Sequence, residues 1–392
     1  MRITFINGER SLFTKEFPMN IFEIRDTLDR LKIPDDKPIV DFEISEYDNM
    51  EFPFVLCRRN FSADIYRLNL FAERMENLDL SEMTAFRSLL IANPESSFED
   101  ILKMTYGLDS VMIYPCSDCR ELGETVIENE LMPELESCSD NILELLDCEK
   151  VGQLMQKREG GVFINEHYCV TSGYEPPDIH IEIGRPENCF FRLLVVPEEE
   201  KIEQARWISL PCEGEIPSEI YNGICLDFQS ALPNLKFDDA HKIVKLNELA
   251  KSLSELSHDD FVKLKAIMGS ENIHEIQNAL DCIGRLDEYQ FDRNIFDQSD
   301  FGREYLLKNI HKNFDFSAVK DMNLCDFGRV ILECKHGEIT SYGAISGRGQ
   351  DLYSVLTVQH EQTQTEENVE DICENFSDED ESEDFEMGGM SL

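Results

Sequence analysis

The chain has 392 residues, 42% of them apolar, which is enough to fill two or three ordinary hydrophobic cores and excludes a chain disordered throughout. Its 80 acidic residues face only 36 Lys and Arg, a formal net charge of −44, so its surface is expected to repel nucleic acid and anionic membranes and to attract basic clefts. Thirteen unevenly spaced Cys, no apolar run near the roughly 18 residues of a membrane span, and an opening (MRITFINGER) without an apolar signal core lead us to expect a soluble cytoplasmic protein with reduced thiols and no membrane partner.

In chain order, short strands are expected at residues 2–5 and 13–17. A helix follows over 20–31, ended by the Ile33-Pro34-Asp35-Asp36 turn, and further strands at 39–44 and 54–57. Helices dominate 62–149, and a β-rich patch at 161–171 closes the unit. Residues 67–90 then recur at 245–268. Leu68, Asn69, Ala72 and Leu78 pair with Leu246, Asn247, Ala250 and Leu256 at a constant offset of 178. Asp79-x-x-Glu82 and Ser257-x-x-Asp260 are helix-start patterns at the same offset. Phe86, Leu89 and Leu90 match Leu264, Ile267 and Met268 as one buried stripe. Downstream, Leu122-Gly123-Glu124 corresponds to Phe301-Gly302-Arg303, and Val151-Gly152-Gln153 to Phe327-Gly328-Arg329, each of the latter followed nine residues on by Gly161 or Gly337. The expected organisation is a first unit at 1–172, a linker at 173–187, a second, divergent unit at 188–348, and a linker and disordered acidic tail at 349–392. The tail contains SDEDESEDFE, which cannot bury a core.

The tail from residue 361 holds 13 acids and no base, which leaves −31 on residues 1–360, spread over both units. The densest stretch carries Glu121, Glu124, Glu128, Glu130, Glu134, Glu136, Asp140, Glu144, Asp147 and Glu149, interleaved with Val126, Ile127, Leu131, Ile142, Leu143 and Leu146 as expected buried positions. On a helix Glu121, Glu124 and Glu128 share a face about 5–6 Å apart, a repulsive arrangement that approximates a track of phosphates. At about 1.7 Å per phosphate, 31 charges match roughly 53 Å of duplex, about 15 base pairs. A solvated acidic face kept for solubility is the plainer reading of any one such helix. The remaining motifs favour no catalysis. Cys116-x-x-Cys119 has no second pair at metal-like spacing, although His167, Cys169 and Cys138 are available. Ser346-Gly347-Arg348-Gly349 lacks the Lys-Ser/Thr of a phosphate-binding loop and reads as a linker. No catalytic residue, metal or cofactor is expected.

Four stretches resemble the ArdA family of antirestriction proteins of conjugative elements. They are FEISEYDNMEFPF (42–54); LNLFAERMENLDLSEMTAFRSLL with SSFEDIL (68–90 and 96–102); IYPCSDCRELGETVIEN (113–129); and LLDCEKVGQLMQKREGGVFINEHYCV (145–170). The resemblance implies an elongated, three-part acidic DNA mimic that blocks multisubunit restriction–modification enzymes, mainly type I, as an end-to-end dimer. It assigns no catalytic residue, and it places the acids of 121–149 on the mimicking surface. This chain is more than twice as long, with an apparent second copy and a tail. The expected fold is therefore α+β, an elongated acidic multi-domain protein of two ArdA-like units. It would act as a monomeric pseudo-dimer or a homodimer and bind no nucleic acid directly. Alternatives are an acidic adaptor or chaperone for basic proteins, working through its tail, and an inhibitor of another nuclease such as a CRISPR effector.

Overall fold

Alternating apolar residues open the fold. β1 (Arg2–Asn7) buries Ile3 and Phe5 and pairs antiparallel with β2 (Arg10–Glu16) on one side and β3 (Ile39–Glu46) on the other. β4 (Asn60–Asp64) extends the sheet, giving the order β2-β1-β3-β4. In this computed structural model, residues 1–8, 10–46, 56, 59–136, 138–177, 189–198, 200–214, 216–237, 239–310 and 322–355 are described. The strand expected at 54–57 and the tail from 361 lie outside them.

α1 (Ile21–Leu31) starts at a full capping box: the Asn20 side chain accepts from the Phe22 and Glu23 N–H groups, and Glu23 reaches back to the Asn20 N–H. It ends at Lys32 in the left-handed conformation. α2 (Ile65–Asn77), α3 (Leu80–Ala92) and α4 (Phe98–Met104) then pack on the sheet. Their core includes Phe42, Phe71, Phe86 and Phe98. Asp79 and Glu82 form the capping box read from the sequence.

A second core follows in the first half. β5 (Met112–Tyr114), β6 (Val162–Ile164) and β7 (His167–Val170) form a sheet of order β5-β7-β6. α5 (Cys119–Glu128) crosses α7 (Cys148–Glu159) beside this sheet, around Leu122, Val126, Met155 and Tyr168. Glycine permits the crossing: a Cβ on Gly123 would lie 1.7 Å from the Cys148 carbonyl oxygen, and one on Gly152 would lie 1.7 Å from that of Cys119.

Residues 191–345 run through a similar order of elements. β8 (Phe191–Val196), β9 (Arg206–Leu210) and β10 (Ile224–Ser230) pair as β9-β8-β10. α8 (Ser218–Tyr221) is a single turn between β9 and β10. α9 (Ile243–Ser254), α10 (His258–Ser270) and α11 (Ile276–Ile283) cover that sheet. β11 (Phe291–Asp292), β12 (Glu338–Thr340) and β13 (Gly343–Ile345) pair as β11-β13-β12 beside α12 (Gln298–Asn309) and α13 (Leu324–Cys334). α12 and α13 also cross at glycines: a Cβ on Gly302 would meet the Leu324 carbonyl oxygen at 2.5 Å, and one on Gly328 would meet that of Gln298 at 2.0 Å. The buried amides agree as well. The Met19 N–H donates to Asn69 Oδ1 at 2.6 Å, and the Cys212 N–H donates to Asn247 Oδ1 at 2.9 Å. Each of these N–H groups follows a proline, Pro18 or Pro211, at the end of a strand.

The architecture is α+β. One expected boundary moves. Residues 349–355, expected as linker, pack on the second half: Leu352 is fully buried, Tyr353 stacks on Phe301, and its hydroxyl donates to Asp292 at 2.7 Å. The apolar side chain of Leu352 and the ring of Tyr353 supply the burial that holds this segment.

The halves meet through α1. Asp26 pairs with Lys265 of α10 and accepts from the Tyr342 hydroxyl at 3.2 Å. Asp29 pairs with Arg293 at 2.8 Å and contacts His258 at 2.9 Å. Lys32 also donates to Asn294 at 2.9 Å.

Candidate acidic surface

The ten acids of 121–149 do not lie on one helix. α5 stops at Glu128, and the chain turns through Glu130 in the left-handed region (φ 48°). It continues through turns to α6 (Asp140–Leu143), one helical turn, and re-enters helix at Cys148. This corrects the picture of continuous carboxylate rows. It also corrects Ile142, expected to be buried and found exposed beside exposed Leu145. Helical periodicity does not carry through a one-turn element, so spacing alone could not assign its faces. Val126 is buried, and Ile127, Leu131, Leu143 and Leu146 are partly buried against the α5–α7 core.

Four of the acids are engaged locally. Glu121 folds back to accept from the Ser117 N–H at 2.8 Å and its hydroxyl at 2.7 Å, which holds its carboxyl below the usual range. Asp147 caps α7 through the Lys150 N–H, at 3.3 Å, and this too lowers its pKa. Glu134 makes a bidentate pair with Arg158 at 2.8 and 2.9 Å, with the same effect. Glu124 pairs with Arg120 at 3.3 Å. The cap patterns Asp118-x-x-Glu121 and Asp147-x-x-Lys150 were signals in the sequence that Glu121 and Asp147 serve helix starts.

Glu128, Glu130, Glu136 and Glu144 are exposed and form no ion pair among the described residues; Glu149 is exposed and only accepts weakly from Gln153, at 3.4 Å. The side chain of Asp140 lies outside the description. Glu124, Glu128, Glu130 and Glu144 border one open hollow of about 400 Å³, whose other walls are Ile127, Leu143, Leu146 and Cys148. The fold thus gathers carboxylates from the end of α5 and from the segment before α7 around an apolar floor. Such a hollow suits the aliphatic stem and charged head of Lys or Arg.

Other sequence candidates separate. Cys116 is buried with its Sγ 3.2 Å from the Thr125 hydroxyl, and the Cys119 Sγ lies 3.6 Å from Gln156 Oε1. Burial raises the Cys119 and Cys169 thiols above their ordinary values. No group of three or more His, Cys, Asp or Glu side chains able to hold a metal gathers among the described residues. Ser346 is buried and exchanges hydrogen bonds with the Gln290 backbone, and Arg348 pairs with Glu288, so the 346–349 run is a docked loop of the second half. No described helix is long and apolar enough to cross a membrane. Neither the profile of any known protein family nor any curated protein matches this chain.

Proposed function

We propose that this protein is a DNA mimic, a non-enzymatic cytoplasmic inhibitor that occupies the DNA-binding cleft of a restriction–modification enzyme of the type I class. The observation that carries the reading is the charge: −31 on residues 1–360, a part of the chain that builds four hydrophobic cores. Self-repulsion of that size opposes folding, and a basic partner cleft gives it a use. The resemblance of residues 39–172 to the ArdA family supports the choice of target.

The chain is further read as two copies of one unit. The same strand order in the two small sheets and in three strands of the two large ones, paired glycine crossings at Gly123/Gly152 and Gly302/Gly328, and the matched Asn69 and Asn247 amides support this reading, although β4 has no counterpart in the second sheet among the described residues. The copies meet through non-equivalent faces. The first offers the three-turn α1, whose counterpart by position is the single turn α8. One chain then presents two acidic arms in a head-to-tail arrangement, a monomer in place of a dimer, with the second arm supplied at a fixed effective concentration.

Competition tests the proposal. Added duplex DNA should relieve inhibition of a purified type I enzyme, the affinity should fall as salt rises, and the stoichiometry should be one to one. Inhibition indifferent to DNA and salt would exclude mimicry. Loss of all activity on removing residues 361–392 would favour the acidic-adaptor reading.

A further inference from the structure

A cleft of about 310 Å³ lies where the two halves meet, walled by β2 and α1 of the first half and by residues 228–235 and 341–342 of the second. This is the lower end of the size range of small-molecule pockets, at a junction between units, where such pockets concentrate. Its charged side chains are Lys15, Glu23, Asp26 and Arg30. The two acids are already engaged. Asp26 is bound to Lys265 and Tyr342, and Glu23 closes the α1 capping box by accepting from the Asn20 N–H at 2.8 Å.

The two cations are not. Neither the Lys15 ammonium nor the Arg30 guanidinium forms an ion pair or hydrogen bond with any described residue. The Arg30 guanidinium rests 4.0 Å from the ring centroid of Phe13 in β2 and 4.5 Å from that of Phe296 in the second half. Ring contact satisfies the π system and leaves the five N–H donors open. Burial lowers the Arg30 pKa from its ordinary value, yet a guanidinium stays charged in any protein setting. Its neighbours show how unusual this is. On α1 and its docking face, Asp26, Asp29, Lys32, Lys265 and Arg293 are all hydrogen-bonded across the junction. In a chain where acids exceed bases by 44, two half-buried cations in one cleft, neither paired with a carboxylate, call for an anion.

We infer that this cleft binds a small oxyanion, a phosphate or carboxylate compound, through the N–H edge of Arg30 and the ammonium of Lys15. A planar fork that recognises two oxygens at once and a mobile point charge are the usual pair for such a group. Because Arg30 touches both halves, the bound anion also strengthens their docking, and the folded chain gains stability with ligand concentration. The site is separate from the acidic surface, and its test contains no DNA-handling enzyme, so each reading stands or falls alone.

The experiment is calorimetric titration of the full chain with inorganic pyrophosphate and, separately, with citrate. One-to-one saturable binding to pyrophosphate alone assigns a phosphate ligand, and to citrate alone a carboxylate one. Lys15→Gln should weaken binding about tenfold and Arg30→Gln should abolish it, while Glu23→Gln should strengthen it by removing a like charge to the ligand. Arg30→Gln could loosen the junction by itself. Lys15→Gln removes no ion pair or hydrogen bond among the described residues, so its result stays interpretable. Absence of saturable heat from both anions, or equal binding by wild type and Lys15→Gln, would overturn the assignment.

Discussion

Replacing Lys265 by Met tests whether the junction between the halves rests on a buried ion pair. The Lys265 side chain is 6% exposed and that of Asp26 22% exposed, and α1 carries Asp26 into the face of α10. Asp26 also accepts from Tyr342, whose hydroxyl burial and the adjacent carboxylate push well above the ordinary tyrosine value. Removing one partner of a buried pair leaves an uncompensated charge and costs about 3–5 kcal/mol. Replacing both by apolar groups of similar volume is often neutral. Lys265→Met should therefore lower stability by about 3–5 kcal/mol, and Asp26→Leu with Lys265→Met should recover most of it. The loss has a defined pH dependence. Burial already raises the Asp26 pKa above 3.8, with Lys265 pulling it back down. Without Lys265 the folded-state value rises further, so ionisation opposes folding. The penalty vanishes below the unfolded carboxyl value, grows as pH rises through the interval between the two values, and is complete above the folded one. Urea unfolding followed by the fluorescence of Trp207, the only Trp in the sequence, reports the second half directly. A single variant as stable as wild type, or a double variant no better than the single, would refute the argument.

Gly152→Ala should destabilise the first half by about 1–3 kcal/mol or more, because its Cβ would lie 1.7 Å from a helix carbonyl; Gly328→Ala should act similarly in the second half, and thermal unfolding measures both. Asn69→Ala and Asn247→Ala each strand a backbone N–H, buried at Met19 and half-buried at Cys212, and should cost about 1–3 kcal/mol apiece in denaturant midpoints. In the inhibition assay, Glu128→Lys, Glu130→Lys and Glu144→Lys should each weaken binding about tenfold at low salt, an effect that shrinks as salt rises. Glu121→Lys and Asp147→Lys should instead lower thermal stability, since those carboxylates hold helix starts. Reversing Glu271, Glu275 and Asp281 of the second half should weaken inhibition less than reversing Glu128, Glu130 and Glu144.

Local signals determined much of this fold. Asn20 with Glu23 and Asp79 with Glu82 set helix starts, since capping needs only residues three apart. The apolar alternation of Ile3 and Phe5, and of Phe42 and Ile44, set strand faces by its period of two. Residues 67–90 and 245–268 bury side chains at the same spacing, Leu68, Ala72 and Phe86 against Leu246, Ala250 and Leu264, for the same reason: a buried stripe is set by spacing along one helix pair. The glycines stood in the sequence as matched positions, but the purpose of Gly123, Gly152, Gly302 and Gly328 came from the approach of one helix to another. Partners distant in sequence decided the rest. Which acids of 121–149 are free depends on Arg158 reaching Glu134 and on α6 ending after one turn, neither of which periodicity encodes. The docking of Asp26 on Lys265, the packing of Leu352, and the cleft holding Lys15 and Arg30 all join residues far apart in the chain. Sequence spacing fixes what lies along an element; which elements meet follows from burying several faces at once, and the tertiary structure alone determines that.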